Sequence, residues 1–162
     1  MKFLKWWSIL ALLPVVLFTG CSDDGSEPDL ITIADFAGSW ETVTYRVTNS
    51  AIPAISLEII SLGATMEWTA DESGNFTGSA FIPAVLAGQD LDLDVGGTFS
   101  LISQDSVVIN FVPEIPPFLT QTRAEFELTG NLLSFIDENS TFDFDGDGTE
   151  EAAIFEGTFM RS

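Results

Sequence analysis

Arg123-Ala124-Glu125-Phe126-Glu127-Leu128, then Thr129-Gly130-Asn131, then Leu132-Leu133-Ser134-Phe135-Ile136: this stretch decides the fold class. Ala124, Phe126 and Leu128 alternate with Arg123, Glu125 and Glu127, so one face is apolar and the other charged. Period two marks a strand with one buried side, because successive side chains leave a strand on opposite faces. Thr129-Gly130-Asn131 supplies turn residues, and a second apolar run follows at once, as in a hairpin.

The same grammar repeats on both sides. Val43, Tyr45 and Val47 alternate with Thr42, Thr44 and Arg46; Met66 and Trp68 alternate with Thr65, Glu67 and Thr69. Asp71-Glu72-Ser73-Gly74-Asn75 is a turn into Phe76 to Ile82. Leu91, Leu93 and Val95 alternate with Asp90, Asp92 and Asp94, which places that acidic stripe on a solvent face, and Gly96-Gly97 suggests a bulge before Phe99 and Leu101. Val107, Ile109 and Phe111 form another strand, and the last covers about Ala152 to Met160. The chain is therefore all-β, an antiparallel meander of about eight strands. A closed barrel leaves no open edges and is the expected architecture; a β-sandwich is the alternative.

Three apolar segments break the alternation: Ile52 to Leu62, Ile82 to Ala87, and Val112 to Leu119. They hold Pro53, Pro83, Pro113, Pro116 and Pro117. Proline suits strand interiors poorly, so parts of these segments are expected to be connections. An apolar connection needs cover. Either it folds over a barrel end as a plug, the first segment with a short helix, or it lines the mouth of an apolar pocket; the plug is the preferred expectation.

The N-terminus has a different character. Lys2 and Lys5 precede a mostly apolar run from Trp6 to Phe18, broken by Pro14. A membrane span needs about 20 apolar residues, and this run is shorter. A basic start, a short apolar run and small residues before a cleavage point make a secretory signal. Phe18-Thr19-Gly20-Cys21 resembles the lipobox of bacterial lipoprotein precursors, departing at Phe18, where Leu is usual. The resemblance implies lipidation of Cys21, the chain's one cysteine, and a membrane anchor of several acyl chains. Ser22 after it resembles outer-membrane sorting. The expected organisation is a signal peptide at 1–20, the lipidated Cys21 and a flexible tether at 21–33, and one β-domain at 34–162.

Composition narrows function mostly by exclusion. Beyond the signal, three arginines (Arg46, Arg123, Arg161) stand against all 25 acidic residues, a formal balance of −22. Such a surface repels nucleic acid and attracts cations. The chain has no His, and both lysines leave with the signal. Nucleophilic triads and dyads, Schiff bases and a P-loop lysine are thereby excluded, as are the usual ligands of zinc, copper and haem. Carboxylate-pair chemistry survives, but so many carboxylates make pairs by chance, and no enzyme is expected.

Two motifs remain. Asp35-Phe36-Ala37-Gly38-Ser39-Trp40 resembles the Gly-x-Trp opening of lipocalin-like domains, with Gly38 and Trp40 in the motif positions. Leu128 to Leu133 and Gly157 to Arg161 are similar to small bacterial lipocalin-like lipoproteins. The resemblance implies that Trp40 closes one barrel end near an arginine of a late strand, Arg161, with Arg123 also available. In Asp143-Phe144-Asp145-Gly146-Asp147-Gly148-Thr149-Glu150-Glu151, alternate acids followed by Gly resemble the first half of an EF-hand-type loop. Calcium takes six to eight oxygens, which Asp143, Asp145, Asp147, the Thr149 carbonyl and Glu151 would supply. Ile154 stands where the bidentate Glu is expected, so binding would be weaker than in a full loop and structural in role.

The expectation is thus a lipid-anchored envelope protein, sorted to the outer membrane, whose barrel binds a small apolar ligand. The rival is a calcium-stabilised structural or interaction module without a pocket. An open apolar cavity of at least about 300 Å³ favours the first, and an interior filled with Phe and Trp the second.

Overall fold

The computed structural model describes residues 30–115 and 119–162; the expected signal peptide at 1–20 and the expected lipidation site Cys21 lie outside them. The strands are β1 (Gly38–Asn49), β2 (Ser56–Glu58), β3 (Thr65–Ala70), β4 (Asn75–Ile82), β5 (Leu91–Leu101), β6 (Ser106–Ile115), β7 (Leu119–Thr129), β8 (Leu132–Phe142) and β9 (Glu151–Arg161). β1 pairs with β3, each strand from β3 to β9 pairs with the next, and β9 returns to β1. All pairings are antiparallel. That return closes eight strands into a meander barrel, and the sandwich alternative falls away. The barrel closes within residues 38–161, so a chain of residues 22–162 contains all of it.

β2 is the additional strand, and it shares a lane with β3. Glu41 pairs with Glu67, so an unbroken β3 would set Arg46 opposite Leu62; Arg46 instead pairs with Glu58, four residues earlier. A 3-10 turn at Ile60–Leu62 takes up the excess. β2 pairs only with β1, so the barrel wall thins where β4 ends.

The two ends differ. At the end holding the β3–β4, β5–β6 and β7–β8 turns, a second 3-10 turn (Ile33–Phe36) drives Phe36 into the barrel, where it packs on Phe99, Phe126 and Phe135. Ile31 and Ile33 also pack against this core, and the Ile31 backbone exchanges hydrogen bonds with the Gln104 side chain. Ile31 and Ile33 therefore belong to the packed domain, inside the stretch expected to be tether, because these two isoleucines have an apolar floor to cover. The opposite end carries β2, a short helix α1 (Ala84–Ala87) and the acidic loop between β8 and β9.

Three local readings need correction. Val43 points outward, 45% exposed, because a bulge between Thr42 and Thr44 shifts the phase of β1. Trp40 and Thr42 face inward before it, and Tyr45 and Val47 after it. Gly96-Gly97 forms no bulge: the β4–β5 ladder runs through both without a slip. Gly97 has φ +154°, and a Cβ there would sit 1.8 Å from the Asn110 carbonyl oxygen, so glycine permits a close approach of β5 to β6. Pro113 lies within β6, where the β6–β7 ladder is interrupted between Asn110 and Ile115, so no partner needs its missing N–H.

Candidate functional site

The ladder register places Arg161, Trp40 and Trp68 in one row across β9, β1 and β3. Trp40 is fully buried, stacks on Trp68 at 5.4 Å, and donates its indole N–H to the Phe36 carbonyl at 2.9 Å. The Arg161 guanidinium lies 4.6 Å from the Trp40 ring centre and donates to the Asp35 carbonyl. Gly38 completes the group: a Cβ there would press on the Arg161 stem at 3.3 Å. Arg123 is elsewhere, with its Nε directed at the Ser106 hydroxyl. Gly38, Trp40 and Arg161 thus build the closed end.

Above that floor the barrel is open. A cavity of about 360 Å³ enters from the other end, within the 300–1,000 Å³ typical of small-molecule sites. Trp68, Phe76, Phe99, Phe135 and Phe159 form its base, and Val95, Ile109, Leu93, Met66 and Ala80 its walls. The barrel is therefore filled by aromatic rings in its lower part only. Ile59, Ile60, Ile82 and Leu86, from two of the apolar proline-bearing segments, line the mouth and do not plug it. The plug expectation fails for them because β2 and β4 do not pair, which leaves space that these side chains border.

One side of the cavity is polar. Asp137, 8% exposed, sits at the β8 bulge between Asp137 and Ser140. Its carboxylate accepts from the Thr122 hydroxyl, the Ser140 hydroxyl and the Asn139 N–H. Tyr45 lines the cavity from β1, across β9, where Gly157 opposite it has no side chain to intervene. Burial pushes the Tyr45 phenol up to about 12, with the nearby Asp137 charge adding to the effect. Tyr45 is the chain's one tyrosine, so its ionisation can be followed without interference. A phenol raised above its ordinary value near 10 contributes stability in full below pH 10, and that contribution is lost as pH rises toward about 12. Phenolate absorbance of the folded domain is expected to stay low past pH 11, roughly midway between those values. Denaturant at that pH should release it. Full phenolate in the folded domain at that pH would contradict the burial.

The acidic loop sits at the same open end. The carboxylate oxygens of Asp143, Asp145 and Asp147 come within 4.8 Å of one another. Loop N–H groups orient them: Gly146 and Gly148 donate to Asp143, Asp147 to Asp145, and Thr149 to Asp147. The Gly148 N–H is the main reason the Asp143 carboxyl is held below the usual carboxylate range. Glu151 lies outside this cluster and accepts from the Phe144 N–H at 3.1 Å. Three of the five residues read as calcium ligands are thus gathered by side chain.

Sequence reading did not single out Asp137 or Tyr45 as site residues. Asp137 was within reach: it continues the inward phase of Leu133 and Phe135. Tyr45 reads in the sequence simply as one position of a strand.

No protein-family model matches the chain, and no curated protein matches its sequence. Among solved structures it is similar to the structure of EF1p2_mFAP2b bound to DFHBI. Identity is 14% and the TM-score 0.43, over 81% of this chain and all of the other.

Proposed function

We propose that this chain is an envelope lipoprotein whose barrel binds a small, largely apolar molecule. The cavity carries the reading: about 360 Å³ with an aromatic base is space that core packing would ordinarily fill. Its walls suit an apolar body, and its single polar side suits one polar group. We read the role as binding: the chain beyond the signal lacks the nucleophile-activating His and Lys, which leaves carboxylate-pair chemistry alone as the catalytic alternative. The Gly38, Trp40 and Arg161 grouping supports a lipocalin-like relationship. Cys21 in its lipobox would provide the anchor, and Ser22 directs the protein to the outer membrane.

Solvent extraction of purified residues 22–162, followed by mass spectrometry, tests the binding role. A stoichiometric apolar molecule supports it and identifies the ligand class; an empty, well-folded domain from a host supplied with envelope lipids counts against it. Intact mass of the exported full chain tests the anchor. Acylated Cys21 at the new N-terminus supports it, and an unmodified cysteine removes it.

Calcium would be a structural addition, favoured by the gathered Asp143, Asp145 and Asp147 oxygens. A site with Kd of about 0.1–1 mM would contribute roughly 1 kcal/mol at a few millimolar calcium, a rise in Tm of about 2–6 °C. Asp145→Ala is expected to abolish that rise. A wild-type Tm indifferent to calcium removes the ion from the account.

A further inference from the structure

This inference rests on the binding role proposed above and concerns which molecule fits. Among the described residues, the cavity lining contains two carboxylates, Asp137 and Glu150, and no arginine or lysine. Arg161 lies on Trp40 at the closed end, Arg46 faces Glu58 at 3.7 Å, and Arg123 is turned to Ser106. Asp137 is nearly buried and has no cationic partner among the described residues; three hydrogen-bond donors hold it instead. Buried carboxylates are usually paired with a positive charge. Tyr45 lines the same space from the far side of β9. At the mouth, Glu150 and the loop of Asp143, Asp145 and Asp147 add negative potential.

We propose that the cavity takes an apolar molecule bearing one cationic amine, its ammonium seated at Asp137 and its apolar body on Trp68, Phe76 and Phe99. An ammonium supplies the missing countercharge and offers a hydrogen bond to the carboxylate. A fatty acid of the same length would bring a second negative charge into a low-dielectric space with nothing to offset it. The site therefore selects by charge as well as by apolar fit, and it rejects the anionic amphiphiles.

Calorimetric titration of residues 22–162 with decylamine, decanol and decanoate at neutral pH tests this. Decylamine is expected to bind about tenfold or more tighter than decanol, the scale of a hydrogen bond to a charged group, and decanoate weaker than decanol. Asp137→Asn should bring decylamine down to the level of decanol in the same variant, removing the preference for the amine. The wild-type ratios decide the matter even if that variant folds poorly. Equal binding of amine and alcohol, or tighter binding of decanoate, overturns the amine assignment and leaves the binding role intact. Failure of all three to bind overturns both.

Discussion

Gly97→Ala is expected to destabilise the barrel by more than about 4 kcal/mol, enough to leave little folded protein. The added methyl would sit 1.8 Å from the Asn110 carbonyl oxygen and 2.8 Å from its carbon. These are backbone atoms, so no side-chain rotation relieves the clash. The positive φ of +154° adds strain for any L side chain. Relief would require β5 and β6 to separate where Gly97 pairs with Phe111, beside the buried Phe99 and Ile109. Gly96→Ala is the comparison: its nearest neighbours would be 3.2 Å away, and its φ is ordinary, so its cost should be much smaller. Equal, small effects in denaturant unfolding of the two variants would show that β5 and β6 do not approach as described.

Trp40→Ala is the second large effect, expected to cost about 3–5 kcal/mol. The indole is fully buried between the Phe36 turn and Trp68, and its N–H holds the Phe36 carbonyl. Removing it opens a void at the closed end, leaves that carbonyl without its donor, and takes the aromatic face from under Arg161. The chevron or equilibrium midpoint should fall with the m-value unchanged. Trp40→Phe should recover part of the loss by filling part of the void. A Trp40→Ala cost below about 1 kcal/mol would mean that the closed end is not built on this residue.

The strand content was legible because five segments, 42–47, 65–69, 90–95, 107–111 and 123–128, show period two, and turn residues set off the remaining apolar runs. Closure was legible only as an economy of edges; the β1–β9 ladder is a contact between the two ends of the domain, which local periodicity does not encode. Bulges defeat alternation for the same reason. One extra residue at Thr42–Thr44 turns Val43 outward and Tyr45 inward, although Val43, Tyr45 and Val47 read as one face. β2 is three residues long and leans on β1 alone, too short to leave a period. Gly38, Trp40 and Arg161 could be connected by resemblance, whereas the cavity could not, since emptiness is a property of packing. Asp137 shows the middle case: its inward phase is written in the strand, but its hydrogen bonds to Thr122 and Ser140 depend on β7 and on the bulge.

The binding role proposed for the barrel rests on its open apolar cavity. Titrating an apolar fluorescent probe into wild type and Ala80→Trp shows whether that space takes a ligand. Ala80 lines the wall beside Leu93 and Met66, so an indole there would occupy much of the space while leaving the closed end untouched. Saturable one-to-one binding to wild type, lost at least tenfold in an Ala80→Trp variant of undiminished stability, is the predicted result. Probe binding of equal strength in both, or none in the wild type, would contradict it.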